Sequence, residues 1–257
     1  MKKEEHQMNQ VVETMMAHRS IRKYSNQPVS NEDLDTLIRS AQAAPSWVNG
    51  QHVTIISIQD PERRKKMTEL AGNQKHIIEA PVFLVFCADF HRIKVACEME
   101  GIEFKAADNP DLLLVGSVDV GIALGNAITA AESLGLGTVP IGGIRRSPLE
   151  YIELLNLPEY VIPVSGLCIG YPSEIPDLVP RLPKEAIFHE EKYKENIHEE
   201  IEKFNQIHLE ATKGRQSGGS TWTQRMANFY KDPFYINNGY KDVGKMLEQQ
   251  GFSKREK

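Results

Sequence analysis

The longest apolar stretch of the chain, from Leu112 to Leu136, is the feature that most constrains its fold. Its length and composition predict a helix over Val115 to Leu134. The polar side chains of Asp119, Asn126 and Glu132 interrupt the stretch, so we predict a buried helix and not a membrane span. We therefore expect a soluble protein with this helix in its interior.

The same predicted helix is rich in small residues, which let another backbone approach closely. They are Gly116, Ser117, Gly121, Ala123, Gly125, Ala127, Ala130 and Ala131. Two explanations fit this composition about equally well. The helix lies at a dimer interface, or it is packed tightly inside one chain.

Short apolar runs predict the strands of the fold. They are Val53 to Ile58, Pro81 to Ala88, the segment TVPIGGI from Thr138, and Val161 to Ile169. The run PVFLVFCA has no polar alternation, so we expect its strand to be covered on both faces. Helical spacing separates these runs, which predicts a compact α+β core over residues 1–171.

The composition changes after Pro172, and we predict a C-terminal extension over residues 172–257 that wraps or caps part of the molecule. Its proline-rich start, 172–183, predicts an extended arm, and the Glu- and Lys-rich residues 189–213 predict a solvated helix. The loop GRQSGGS (214–220) follows. Two aromatic clusters come next, Trp222 with Phe229 and Tyr230, and Phe234 with Tyr235.

Charge and cysteine content exclude several classes of protein. A formal net charge of -5 and a pI near 5.9 argue against a nucleic-acid-binding protein, which usually has a basic surface. The three cysteines form no CxxC pair, so we predict neither a disulfide framework nor a metal site, as expected in a reducing cytoplasm. The polar start MKKEEHQMNQ lacks the apolar segment of a signal peptide.

The segment His18 to Tyr24, HRSIRKY, combines three cations with a hydroxyl and an imidazole. On a helical turn, Arg19 and Arg22 would lie on one face, and the planar guanidinium matches phosphate oxygens. Ser20 would add a hydroxyl donor. The segment therefore predicts a phosphomonoester site or, more often for so short a motif, a basic surface turn that pairs with acids.

The glycines do not form a Rossmann-type dinucleotide motif. In GLGTVPIGG they follow a helix and precede a strand, which reverses the required order. Gly142 and Gly143 instead predict close backbone approach, to a flat ligand or to another chain segment.

There is no Walker loop or GxSxG motif, and Glu195 with His198 is typical of a solvated helix face. We assign no role to the single histidines His52, His189 and His208.

Seven segments, taken in order, together resemble one family. They are HRSIRKYSNQPV, SAQAAPSWVNGQ, ELAGNQKHI, VFCADF, AAESLGLGTVPIGGIR, SGLCIGYP and PDLVPRLP. The set is similar to the nitroreductase / NAD(P)H-flavin oxidoreductase family, in the subgroup with a long C-terminal excursion. The resemblance covers nearly the whole chain, most specifically residues 18–183. It implies an α+β fold with a central mixed or antiparallel sheet flanked by helices, a homodimer, and FMN bound at the subunit interface.

The resemblance also implies which residues bind FMN. The phosphate and the ribityl chain would be held by His18, Arg19, Ser20 and Arg22, with Arg181 as a second phosphate contact. The loop along the isoalloxazine, usually from the partner subunit, would comprise Pro45, Ser46, Trp47 and Asn49. Gln74 would bond the pyrimidine edge, and the segment over the ring would comprise Pro140, Ile141, Gly142 and Gly143. No catalytic side chain is then needed, because FMN would carry hydride from NADH or NADPH to flavins, nitroaromatics or quinones by a ping-pong mechanism.

Two departures from the family pattern bear on substrate choice. Trp47 stands where relatives often carry a small residue, so it would narrow the pocket or pack into the dimer interface. Val179 stands where several NADPH-preferring relatives carry a lysine, so we predict that NADH is used at least as well as NADPH. Cations that could compensate are Lys213, Arg215 and Arg225.

Two alternatives remain open: a flavin-binding protein with little turnover, and a reductase of one specific metabolite.

Overall fold

The computed structural model describes residues 9–214, 218–231 and 239–252. Among them, residues 9–176 and 239–252 form one compact unit, and those from 177 to 231 form a second. The helices are α1 (Gln10–Met16), α2 (Asn31–Gln42), α3 (Pro61–Leu70), α4 (His76–Glu79), α5 (His91–Met99), α6 (Asp111–Ser133), α7 (Pro148–Leu155), α8 (His198–Ala211), α9 (Trp222–Tyr230) and α10 (Val243–Gln249). The strands are β1 (Val53–Ser57), β2 (Val82–Asp89), β3 (Gly137–Ile141) and β4 (Val161–Gly170).

The four strands form one antiparallel sheet in the order β1-β2-β4-β3. Its centre is the pair β2 and β4, in which Val82 lies opposite Ile169 and Asp89 opposite Val161. Nearly every residue of these two strands is buried, so the prediction that PVFLVFCA is covered on both faces is confirmed. The predicted α+β fold is confirmed as well, and of the two sheet arrangements left open the antiparallel one is present.

The long helix α6 buries only one of its faces. Gly116 is needed there, because a Cβ atom would lie 2.8 Å from the Phe90 ring. On the opposite face Leu114, Val118 and Ile122 are exposed, so in the single chain the helix predicted to be buried is buried on one face only. The reason is that the sheet and α2 cover one side, whereas apolar residues continue around the helix. By length and composition alone α6 could cross a membrane, a test that core helices of soluble proteins also pass.

The second unit is built around α8 and α9. Residues 172–183 are irregular, as predicted, but α8 begins at His198 and not near residue 189. Glu191 has a left-handed backbone, with a φ of 60°. A right-handed helix that began at residue 189 would be interrupted there. Inside the unit, Phe204 of α8 packs edge-on against Trp222 of α9. Residues 215–217 of GRQSGGS and the pair Phe234 and Tyr235 lie outside the described residues.

The last described residues pack with the first unit. The Gln250 side chain donates hydrogen bonds to the carbonyl oxygens of Pro158 and Val161. The Phe252 ring lies edge-on to the rings of Phe90 and Tyr160, at 6.0 Å in each case. The predicted extension 172–257 includes these residues, whereas by their contacts they belong to the core.

Candidate functional site

The HRSIRKY segment runs along the outer edge of β3. Ser20 forms an isolated parallel bridge with Thr138, and the Ile21 N–H donates to the Thr138 carbonyl at 2.8 Å. Gly137 permits this approach, because a Cβ atom there would lie 2.5 Å from the Ile21 side chain. The segment is not helical, so the prediction that Arg19 and Arg22 share one face of a helical turn is wrong. Pairing with the sheet edge outweighs the local spacing.

The cations of this segment lie in different surroundings. Arg19 donates to the Ala17 carbonyl at 2.8 Å, and its Nε is buried without a hydrogen-bond partner among the described residues. Arg22 is exposed, and among the described residues its guanidinium donates to the Ser20 carbonyl alone, at 3.4 Å. These donors are available to an anion. A phosphate group, which carries several acceptor oxygens, would satisfy the buried Nε of Arg19.

His18 is tied to the core by α6. Its Nδ1 lies 2.6 Å from Oε1 of Glu132, and the Thr138 hydroxyl donates to the same oxygen at 2.9 Å. The carboxylate therefore joins α6, β3 and the HRSIRKY segment. Only Nε2 of His18 remains for a ligand, which limits its predicted role to one hydrogen bond.

The glycines after β3 meet the loop that carries Gln74. The Gln74 amide donates to the Ala71 carbonyl at 2.9 Å. A Cβ atom on Gly143 would lie 2.1 Å from Nε2 of Gln74 and 2.7 Å from the Ala71 carbonyl oxygen. The sequence analysis predicted that this glycine permits close approach to a flat ligand or to another chain segment. The structure shows the approach to another chain segment. The three atoms nearest to such a Cβ atom on Gly142 all belong to the Arg145 guanidinium, the first at 3.4 Å, and Pro140 is exposed.

His76 belongs to the same neighbourhood, although the sequence analysis gave it no role. Burial lowers the pKa of His76, the positive charge of Arg22 lowers it further, and Glu79 opposes both effects. Its Nε2 is buried without a hydrogen-bond partner among the described residues. The signal that could have identified it is its position two residues after Gln74, in the segment ELAGNQKHI.

The loop with Pro45, Ser46, Trp47 and Asn49 lies elsewhere on the first unit. It forms a short 3-10 turn over Trp47–Asn49, and the Trp47 side chain is 57% exposed. Pro45 and Ser46 line a cavity of about 350 Å³ between α2, β1 and α6. None of the other residues predicted to bind FMN lines this cavity. His52, to which we assigned no role, is buried beside this loop and bonds to Asp119.

The structure therefore brings some of the predicted residues together. The HRSIRKY segment, Gln74 and the segment 140–143 all lie around β3, whereas the 45–49 loop borders a different cavity of the same chain. Arg181 lies in the second unit, where its guanidinium donates to the Val179 carbonyl at 2.8 Å. No group of three or more His, Cys, Asp or Glu side chains within the described residues is placed to hold a metal ion.

Comparison with known proteins gives consistent matches along the chain. The sequence model of the Nitroreductase family matches residues 15–171, and that of the Nitroreductase family, C-terminal domain, matches residues 180–255. An FMN reductase (NAD(P)H) of Bacillus subtilis is 47% identical over 250 residues, which cover 95% of this chain and 98% of the relative. An oxygen-insensitive NADPH nitroreductase of Salmonella typhimurium is 38% identical over 221 residues, 85% of this chain and 90% of the relative.

Solved structures agree with these matches. B. megaterium NfrA2 superposes with a TM-score of 0.92 at 50% identity, over 97% of this chain and all of that one (100%). The NADPH:FMN oxidoreductase from Vibrio harveyi, solved in complex with NAD+, superposes with a TM-score of 0.86 at 35% identity, over 96% and 100% of the two chains. The family resemblance inferred from the seven segments is thereby confirmed, and the chain belongs to the nitroreductase family.

Proposed function

We propose that this protein is an FMN-dependent NAD(P)H oxidoreductase that works as a homodimer. Hydride would pass from NADH or NADPH to bound FMN and on to free flavin, a nitroaromatic or a quinone. Relatives named FMN reductase (NAD(P)H) and oxygen-insensitive NADPH nitroreductase support this reaction class. The reaction fits a chain whose sequence has no GxSxG motif or Walker loop, because the cofactor supplies the hydride chemistry when bound.

The observation that carries the proposal is the convergence of three segments around β3. The buried, unpartnered Nε of Arg19 and the exposed Arg22 offer donors for the phosphate. The hydroxyl of Ser20 adds a neutral donor beside them. Nδ1 of His18 donates to Glu132, so Nε2 of His18 can donate to a phosphate only when the ring is an imidazolium. Gln74 and the glycine segment lie against each other, so a flat ring placed over that segment would meet a side-chain amide and backbone N–H groups.

The remaining predicted contacts belong to other parts of the molecule. Arg181 would supply a second phosphate contact, and Pro45, Ser46, Trp47 and Asn49 of a second copy would lie along the isoalloxazine. That arrangement is consistent with the single chain, in which the 45–49 loop borders a different cavity from the β3 site. These residues would orient the ring and exclude water from one face of it.

The exposed face of α6 supports a dimer. Leu114 and Val118 are 66% and 58% exposed in the single chain, and Gly121 and Gly125 beside them have no atom within 4 Å of an added Cβ position. An apolar helix face with small residues permits close approach of a second helix. The Trp47 N–H donates to Asp119 on the buried face of α6, so the 45–49 loop lies beside this helix, and we include the loop in the proposed interface. Cys87, Cys97 and Cys168 are all free thiols, which fits the proposed cytoplasmic location.

The prediction that NADH is used at least as well as NADPH rests on residues of the second unit. Val179 is exposed and offers no charge to a 2′-phosphate. Two of the three cations that could compensate already have partners: Arg225 lies 3.3 Å from Nε2 of His208, and Lys213 forms an ion pair with Glu210 at 3.8 Å. Arg215 lies outside the described residues.

The visible spectrum of the purified protein tests the proposed function. We expect a yellow protein whose colour is lost on addition of NADH or NADPH without oxygen, and parallel lines in double-reciprocal plots of turnover. A yellow protein that neither nucleotide bleaches would favour a flavin-binding protein with little turnover. A protein that FMN does not turn yellow would contradict the proposal.

Substitution of Trp47 distinguishes an active enzyme from a flavin-binding protein with little turnover. If its exposed indole narrows the pocket, Trp47→Ser will raise kcat/KM for a bulky nitroaromatic such as nitrofurazone by about tenfold, the change expected from removing about 1.4 kcal/mol of steric hindrance. Trp222→Phe, in the second unit, is the control and should leave kcat/KM unchanged. Equal values for wild type and Trp47→Ser would favour packing of the indole in the dimer interface.

A further inference from the structure

The loop between α2 and β1 is held in a strained conformation. Within residues 46–51, which we call the 46–51 loop, Val48, Asn49 and Gln51 have φ angles of 47°, 55° and 53°. The left-handed region is unfavourable for a β-branched residue such as valine. Strained backbone of this kind persists only where the surrounding structure holds it, and it is concentrated at functional sites.

The first anchor of the loop is the buried carboxylate of Asp119 on α6. One oxygen accepts the Trp47 N–H at 3.2 Å, and the other lies 2.7 Å from Nδ1 of His52. Asp119 and His52 are only 3% and 4% exposed. Gly50 packs directly over the imidazole, since an added Cβ atom would lie 2.2 Å from Cε1 of His52. Asp119 thus holds the loop both directly and through His52.

The second anchor is Arg92 on α5, oriented by Asp89 at the end of β2. Arg92 donates to the Gln51 carbonyl at 2.7 Å, to the Thr54 hydroxyl at 2.7 Å and to the Asp89 carboxylate at 3.0 Å. The N–H of Asp89 donates to the His52 carbonyl at 3.0 Å. The loop is therefore held at its start by Asp119 and at its end by Arg92, while the Val48 side chain between them is 74% exposed.

We propose that Asp119 with His52, and Asp89 with Arg92, are positioning residues that hold the 46–51 loop in the conformation in which it lies against the flavin. The inference rests on the proposed function, because it takes the flavin as the group that the loop meets. Both oxygens of Asp119 are in use. The amide of Asp119→Asn has only one acceptor oxygen, so either the Trp47 N–H or the His52 imidazole loses its acceptor. The strained residues can then relax away from the flavin-binding conformation.

Trp47 reports on the loop directly, since the chain has only two tryptophans and Trp222→Phe leaves Trp47 alone. In that parent variant we would measure acrylamide quenching of Trp47 without FMN, the Kd for FMN and the Tm. We expect Asp119→Asn to increase the quenching constant about twofold and the Kd about tenfold, which corresponds to about 1.4 kcal/mol. His52→Leu should behave similarly. His52→Gln, whose amide can donate to Asp119, should stay close to the parent.

The matched control is Tyr151→Phe, which removes a different buried hydrogen bond, from the Tyr151 hydroxyl to the Met67 carbonyl at 2.8 Å. It should lower the Tm as Asp119→Asn does but leave the quenching of Trp47 and the Kd for FMN at the parent values. Unchanged quenching and Kd in Asp119→Asn, or equal changes in Tyr151→Phe, would overturn the positioning role alone. Failure of the parent to bind FMN would overturn the proposed function, and the quenching would still show whether Asp119 holds the loop.

Discussion

At the residue scale, several residues of the proposed site stabilise the fold and also position the segments that would bind the ligand. Glu132 accepts hydrogen bonds from both His18 and Thr138 and so attaches the HRSIRKY segment to the end of α6. Gly143 provides the space that Gln74 occupies. Substitutions at such positions change the geometry of the site through packing, even where the substituted residue touches no ligand.

Gly143→Ala tests this packing. The new methyl group would collide with Gln74 and the Ala71 carbonyl, so we expect the free energy of unfolding to fall by about 1–3 kcal/mol and FMN binding to weaken. Gly244→Ala is the control, because it lies in α10 with no atom within 4 Å of the added Cβ. Its stability, measured by urea unfolding, should stay within about 0.5 kcal/mol of wild type. Equal effects of the two substitutions would contradict this account.

His76 predicts how stability depends on pH. Burial lowers its pKa in the folded state, so below pH 6.5, the ordinary value for histidine, the unfolded chain takes up the proton first. His76 therefore contributes stability above that pH that is lost as the pH falls below it. In His76→Gln we expect a smaller drop in the free energy of unfolding on acidification than in wild type. His198→Gln, at an exposed histidine, should retain the wild-type slope, and equal slopes in all three proteins would refute the prediction.

At the scale of elements, α6 joins the core to the proposed interface. Its stripe of small residues packs on the sheet and α2, and the opposite stripe of Leu114, Val118 and Ile122 is exposed. Asp119 lies among the buried residues and anchors the 46–51 loop. One helix thus determines where the sheet, the loop and the interface lie relative to one another within the first unit.

Val118→Asp tests the interface. A carboxylate buried without a partner between two subunits is strongly unfavourable, so we expect a monomer by analytical ultracentrifugation and weakened FMN binding. Met99→Asp is the control, because Met99 is exposed at the end of α5 and lies outside the exposed face of α6. A Val118→Asp protein that stays dimeric at the concentration where wild type is dimeric would exclude α6 from the interface.

At the scale of the whole molecule, we expect the choice between NADH and NADPH to depend on the charge of single side chains in the second unit. Val179→Lys would add the cation that NADPH-preferring relatives carry. We expect the ratio of kcat/KM for NADPH to that for NADH to rise about tenfold, since a charged hydrogen bond contributes about 1.5–3 kcal/mol. Ile187→Lys, at another exposed residue of the second unit, should leave the ratio unchanged. A large preference of the wild type for NADPH would contradict the reading of Val179.

The sequence by itself determined the family, the strands and the long helix of the core, and the residues to examine for FMN. These follow from local properties: the apolar pattern of each element and seven motifs in order. Where local spacing and tertiary pairing compete, the sequence misled. It predicted a helical turn for HRSIRKY, which pairs with β3 instead, and a helix from residue 189, which begins at His198.

Only the tertiary structure decided which distant residues share a task. Asp119 and His52 are 67 positions apart, and His18 and Glu132 are 114 positions apart, yet each pair is joined by one hydrogen bond. No local sequence pattern identifies such pairs. In the sequence, Asp119 is simply a carboxylate that interrupts an apolar stretch, and nothing near it indicates that its partner is His52. Their roles depend on which surfaces the antiparallel sheet and α6 bring into contact, and that is set by packing of the whole chain.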